Sequence, residues 1–179
     1  MNAKLTTLAM IAALFSVSSY ASDPVTINVT GKVVAAPCTL DTANSTLDID
    51  LGTQQSTTLA AAGATLGTKA FNIALKDCPA GTTSVTATFT GTDDPSAAPG
   101  NGFKNAGTAT NITIQLKNAN SGAWTDPYYT IKNGTAWNQA VNTSTNTVVY
   151  NLAARAYTPT GSVAPGTVSA SIVVDFTYQ

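Results

Sequence analysis

Six apolar residues at two-residue spacing, Val168, Ala170, Ile172, Val174, Phe176 and Tyr178, constrain this chain more than any other feature. Thr167, Ser169, Ser171, Asp175 and Thr177 take the alternate positions, and Val173 is the one interruption. A period of two is that of a strand with one face in a core and the other toward water. This strand closes the chain, so no later segment is expected to pair with its far edge. Something else must cover that edge.

A second alternation stands at the other end, with Val25, Ile27, Val29, Gly31, Val33 and Ala35 set against Thr26, Asn28, Thr30 and Lys32. Unbroken from Val25 to Ala36, it would extend about 40 Å, roughly twice the usual strand. Either one very long strand crosses the domain, or its front half projects and pairs elsewhere. Gly31 weakens a strand interior. It marks a bulge, or it faces a bulky group that leaves room only for a hydrogen.

Residues 1–21 carry Lys4, an uncharged, largely apolar run from Leu5 to Val17, and small residues at Ser19 and Ala21 around Tyr20. That is the pattern of a secretory signal removed on export. The apolar run is too short for the roughly 20 residues of a membrane-spanning helix. The exported chain, Ser22–Gln179, is the size of one domain.

Charged residues make up 9% of the chain, with no histidine and a formal net charge of −1. All nine acidic residues are aspartates. So neutral a surface has no basic patch for nucleic acid. It also has little colloidal repulsion, which suits a polymer subunit better than an isolated soluble enzyme. The two cysteines, Cys38 and Cys78, are expected to pair in an oxidising compartment. Their bridge closes a loop of about 40 residues, for which chain entropy gives roughly 4 kcal/mol. A metal site would need more ligands than two thiols in a chain without histidine.

Between the ends the sequence reads as short strands and turns. Leu47, Ile49 and Leu51 alternate up to Gly52; Gln54–Thr68 reads as a loop; Phe71, Ile73 and Leu75 precede Cys78. Val85, Ala87 and Phe89 form the next strand, before a cluster of breakers from Gly91 to Gly107. Ile112, Ile114 and Leu116 resume the alternation, a short strand is expected near Tyr129–Ile131, and Val148 to Ala156 alternates strictly. Six or seven strands at this spacing imply an immunoglobulin-like sandwich.

Catalysis lacks its usual parts. Without histidine there is no Ser-His-Asp or Cys-His arrangement, and bridged cysteines leave no thiol nucleophile. Asp48/Asp50 and Asp93/Asp94 are carboxylate pairs, read here as solvated strand residues and as turn residues respectively. No catalytic residue, metal site or cofactor is expected. Trp124, Tyr128, Tyr129 and Trp137 could stack on a sugar ring, although capping one end of the sandwich is the plainer reading.

The two ends together resemble the chaperone-usher pilus subunits of Gram-negative bacteria. Val25 to Thr39, with its alternating apolar residues, its glycine and the following cysteine, is similar to that family's N-terminal extension. Gly166, fourteenth from the end, and the penultimate Tyr178 are similar to its C-terminal signature, Cys38 and Cys78 to its disulfide, and Val85–Gly91 to one of its strands. The likeness covers the exported chain, and its nearest look is to the type 1 pilus tip adaptor and related single-domain subunits.

The resemblance implies an all-β, incomplete immunoglobulin-like sandwich at 37–179 that lacks its seventh strand, preceded by a donor-strand extension at 22–36. Val25, Ile27, Val29, Gly31 and Val33 would enter the next subunit's groove. Gly166, Val168, Ala170, Ile172, Val174, Phe176 and Tyr178 would line the chain's own groove and the strand that a periplasmic chaperone contacts. Pro24 has no N–H to give a ladder, so pairing would begin at Val25. Implied partners are neighbouring subunits, the chaperone and an outer-membrane usher, on a route through the periplasm to the cell-surface fimbrium, with a role in adhesion and no enzymatic activity. The competing reading is a secreted carbohydrate-binding sandwich built on the aromatic cluster, with residues 25–35 packed into its own sheet.

Overall fold

The computed structural model describes residues 25–33, 36–97, 102–120 and 123–179. The expected signal at 1–21 therefore lies outside the described residues. The chain divides into two units, Met1–Lys32 and Val33–Gln179. In the first, Val25–Lys32 forms no strand, and Val25, Ile27 and Val29 expose 84%, 81% and 89% of their surface. Neither a single long strand nor a bulge at Gly31 is present in this stretch.

The second unit is all-β, with nine strands among the described residues: β1 (Thr39–Leu40), β2 (Thr65–Lys76), β3 (Ser84–Thr90), β4 (Phe103–Lys104), β5 (Thr113–Asn118), β6 (Thr130–Ile131), β7 (Thr135–Ala140), β8 (Val148–Tyr157) and β9 (Val173–Tyr178). One sheet runs β1-β2-β8-β5-β4 with β6 also on β5, and the other runs β7-β3-β9. Every pairing is antiparallel.

The core lies between the inner faces of the two sheets. Ile73 and Leu75 of β2, Ile114 and Leu116 of β5, and Val148, Tyr150 and Leu152 of β8 meet Val85, Ala87 and Phe89 of β3. Tyr150 joins the layers: it is fully buried, its hydroxyl donates to the Val85 carbonyl at 2.7 Å, and its ring meets Trp137 edge-on at 5.2 Å. A buried phenol keeps its hydrophobic area and loses no hydrogen bond when its oxygen finds such an acceptor. The Cys38–Cys78 disulfide ties the residue before β1 to the turn after β2, as expected.

Several local expectations are corrected. Leu47, Ile49 and Leu51 alternate but form no strand; Ile49 and Leu51 lie half-buried against the core, and Leu47 is exposed. Alternation reports a buried face, whereas a strand also needs a ladder partner, which this segment lacks. Within Gln54–Thr68, Ser56–Leu59 makes a 3-10 turn and β2 begins at Thr65. The Gly67 bulge between Leu66 and Thr68 breaks the alternation there. β7 has no clear signal in the sequence, because Ala136, Asn138 and Ala140 alternate with Thr135, Trp137 and Gln139, which gives little hydrophobic contrast. The final strand is shorter than its pattern: β9 starts at Val173, and 167–172 is held by other means.

Burial raises the proton affinity of Tyr150 well above that of an ordinary phenol, helped by the nearby Tyr178, whose own phenol burial also raises. Above pH about 10 the unfolded chain then ionises before the folded one, and stability falls. The chain has no histidine to titrate near neutrality. The melting temperature is therefore expected to stay level from about pH 6 to 9 and to drop above 10. A calorimetric pH series checks this, and a midpoint that moves by many degrees between pH 6 and 8 would contradict it.

Candidate functional site

The second unit is incomplete along one seam. On one side of it, residues 41–46 are held on β2 by Asp41 N–H to the Ala74 carbonyl (2.9 Å), Ala74 N–H to Ser45 Oγ (2.9 Å) and Thr46 N–H to the Asn72 carbonyl (2.9 Å). Beyond Thr46 the described backbone leaves the ladder. It runs from Leu47 to Leu51 without a strand partner and turns at Gly52, whose N–H donates to Asp50 Oδ1 at 2.8 Å. Gly67, at positive φ, lets Leu51 come close, since a Cβ there would collide with the Leu51 carbonyl.

The other side is the chain from Gly166 to Tyr178. β9 pairs with β3 along one edge, in a register that includes Ala87 with Phe176 and Phe89 with Val174. Its opposite edge has no strand among the described residues. Upstream, 167–169 is clamped to 105–109: Ala106 N–H donates to the Ser169 carbonyl (2.8 Å), Ala109 N–H to the Thr167 carbonyl (3.0 Å), and Ser169 N–H to Asn105 Oδ1 (2.8 Å). Thr108 and Thr167 exchange backbone N–H to hydroxyl bonds at 3.0 and 2.9 Å. A Cβ on Gly166 would collide with the backbone of Thr108 and Ala109, so glycine is required by this approach.

Between the two walls lie two cavities of about 700 and 370 Å3. Both are lined by Leu47, Ile49, Leu116, Ala170 and Ile172, so they run into one another as a groove. Ile114, Ala154 and Leu66 floor the larger, while Phe71, Ile73, Phe89 and Leu152 floor the smaller. The structure brings together the expected C-terminal residues. Gly166, Val168, Ala170 and Ile172 line the larger cavity, and Val174 and Phe176 continue the wall into the smaller. Tyr178 packs on the same core cluster. Val168, Ile172, Val174, Phe176 and Tyr178 are each only partly buried, an apolar face left short of one layer. Sequence reasoning missed the opposite wall, 47–54; its signal was the Leu47, Ile49, Leu51 alternation, which reads equally well as an ordinary strand.

The family model described as "Fimbrial protein" matches residues 27–179. The chain belongs to the fimbrial protein family. It is 39% identical over 172 residues to Protein FimG of Escherichia coli K12, covering 96% of this chain and 95% of that protein. It is 32% identical over 163 residues to the type-1 fimbrial protein A chain of the same strain, covering 86% and 83%. Among solved structures, the Burkholderia pseudomallei antigen and type I fimbria protein BPSL1626 aligns with a TM-score of 0.50 at 24% identity, over 81% of this chain and 90% of that one. The CupB6 tip adhesin of Pseudomonas aeruginosa aligns with a TM-score of 0.53 at 16% identity, over 67% and 32%. These two likenesses are of fold. The protein is a fimbrial structural subunit, and its sandwich is immunoglobulin-like with one strand wanting.

In this fimbrial subunit the aromatic residues serve separate places. Trp137 turns into the core onto Tyr150, and Trp124 lies over the Arg155 guanidinium (4.3 Å) and the Lys117 ammonium (5.2 Å). Tyr128 and Tyr129 meet edge-on at 4.9 Å, with Tyr128 exposed. Asp94 Oδ1 accepts from Ser96 N–H and Oγ–H, the turn role expected of it.

Proposed function

We propose that this subunit polymerises by strand donation: the arm at 22–36 of one subunit fills the groove of the 37–179 domain of the next. The observation that carries the reading is the strand-shaped gap. Among the described residues one wall, 47–51, has an apolar face half-buried at Ile49 and Leu51 and no ladder, and the other, β9, has an edge with no strand on it. A backbone laid between them can bond along the β9 edge while its alternate side chains fill the cavities, as in peptide recognition by added strands. Val25, Ile27, Val29 and Val33 supply those side chains, with Gly31 where the alternation carries none.

Burying four aliphatic side chains yields on the order of 6 to 12 kcal/mol before the cost of ordering the arm. That rivals the stability of a whole domain. A subunit with an empty groove would therefore be marginal and aggregation-prone at its open edge, and would need a periplasmic chaperone on β9 until an usher passes it to the next subunit. Because donor and acceptor surfaces differ, the contact does not close on itself, and a fibre results. Export by the signal at 1–21, passage through the oxidising periplasm, display at the cell surface and a contribution to adhesion complete the reading. It assigns the protein no enzymatic role.

The test is melting of the exported chain, released from its chaperone, with and without a synthetic peptide spanning Ser22 to Ala36. A clear rise in melting temperature, absent with the Ile27→Asp/Val29→Asp peptide, is expected. A chain already stable and monomeric, with no response to peptide, would mean that the sandwich is complete without an added strand.

A further inference from the structure

The larger sheet has a second face, turned away from the groove. Ile114 and Leu116 of β5 and Leu152 and Ala154 of β8 point into the core, so Gln115 and Lys117, with Arg155 and Ala153 opposite them, point outward. None of the strands of this sheet contains an acidic residue. Arg155 donates from Nε to Gln115 Oε1 at 2.9 Å, and its guanidinium lies 4.3 Å from the Trp124 ring and 5.1 Å from the Tyr157 ring. Its two terminal nitrogens have no hydrogen bond or ion pair among the described residues. We propose that this face binds an acidic sugar, with the carboxylate on the Arg155 guanidinium and the ring against a rim formed by Trp124 and Tyr157. The site is separate from the groove, so it does not depend on strand donation.

An anion is called for by the charges already there. The Lys117 ammonium lies 5.2 Å from the same Trp124 ring, and Lys117 is buried. Positive charge held out of water loses solvation, and a bound anion offsets that loss. Partial burial lowers the pKa of Arg155 from its ordinary value, against the effect of the Tyr157 phenol. Asp126, in the segment that carries Trp124, serves its own turn, its Oδ1 accepting from the Tyr128 N–H at 2.9 Å. Thr130 pairs with Lys117 across β5 and β6 and points outward, since Ile131 faces the core. Its buried hydroxyl has no partner, which provides a donor and acceptor for a ligand oxygen that reaches beneath Trp124.

The surroundings favour a sugar over an acidic peptide. A planar guanidinium meets a carboxylate through two parallel hydrogen bonds, and both ligands could supply that group. They differ in what lies beside it. Trp124 and Tyr157 are partly exposed, and aromatic rings of this kind take the apolar face of a sugar while its hydroxyls find amides and hydroxyls such as those of Gln115 and Thr130. A peptide gains most from an open strand edge. Here β5 and β8 are interior strands with neighbours on both sides, so this face offers no such edge. Of the four aromatic residues that the sequence groups together, Trp124 alone has this place, and Tyr157 joins it from β8.

The experiment titrates the exported chain, by calorimetry, with trigalacturonate and with sialyllactose, beside the neutral methyl ester of trigalacturonate and a hexa-aspartate peptide. At least one acidic sugar is expected to bind, with trigalacturonate about tenfold tighter than its ester and binding weaker at high salt. Arg155→Gln is expected to weaken binding about tenfold or more, and Arg155→Lys, which keeps the charge and loses the fork, to fall between. Trp124→Leu changes a partly exposed residue and should also weaken binding, so it carries the test if the Arg155 variants melt early. Failure of both sugars to bind overturns the site. Ester binding equal to that of the acid overturns the role of the carboxylate, and full binding by folded Arg155→Gln or Trp124→Leu overturns the location. Hexa-aspartate binding as tightly as the sugars overturns the sugar as ligand and makes an acidic peptide the occupant.

Discussion

A chain with Cys38 and Cys78 both replaced by alanine is expected to lose about 4 kcal/mol of stability. The bridge joins residues 40 apart, and closing a loop of that size removes correspondingly many conformations from the unfolded chain. Both sulfurs are buried, so their removal also leaves a small void. The loss has a structural focus. The bridge sits beside the Thr39–Lys76 and Leu40–Leu75 pairs that form the whole of β1. Downstream of β1 the chain becomes the unladdered wall 47–54, so freeing Cys38 frees the anchor of that wall. Urea unfolding of the oxidised, reduced and double-alanine chains checks the prediction. The last two should coincide at a much lower midpoint, and a difference under about 1 kcal/mol would mean that the unfolded chain stays compact without its crosslink.

Sequence reasoning located what depends on a face and missed what depends on a partner. The strands over Val85–Phe89 and Val148–Ala156 were legible because each has one apolar face against the core and neighbours on both sides. The C-terminal wall was legible from its apolar face alone, since β9 has a strand neighbour on one side only among the described residues; Val174 and Phe176 line the smaller cavity. Leu47, Ile49 and Leu51 carry the same signal, yet their segment has no ladder, because a two-residue period records which side chains are buried and is silent about what the backbone bonds to. The stretch 167–172 has strand periodicity too, but its bonds run to the side chains of Asn105 and Thr108 and to the backbone of Ala106 and Ala109. No local pattern encodes partners about sixty residues away. The aromatic residues fail in the opposite direction: Trp124 and Trp137 are near in sequence, but one covers cations on the outer face of the β5–β8 pair and the other, partly buried, packs against the core.

Gly166 is where legibility and mechanism meet, and replacing it with valine is expected to damage both the fold and the groove. Gly166 and Gly107 face the opposing segment backbone to backbone: a Cβ on Gly107 would collide with the Thr167 carbonyl, and one on Gly166 with Ala109 N and the Thr108 carbonyl carbon. Neither contact is with a side-chain tip that could swing aside. Valine therefore pushes 167–169 off 105–109 and strains bonds of 2.8 to 3.0 Å at Ala106, Thr108, Ala109, Thr167 and Ser169. At about 1 kcal/mol net for each of several bonds, a loss of roughly 3 to 5 kcal/mol follows. Val168 stands on that clamp and faces the larger cavity, so the groove should lose its shape at the Gly166 end first. Peptide titration of the folded fraction is then expected to give weakened binding of the Ser22–Ala36 arm, with Gly166→Ala falling between the variant and the unaltered chain. An unchanged unfolding midpoint would mean that the 105–109 loop yields freely. The glycine would then be needed for something other than the close approach of these two backbones.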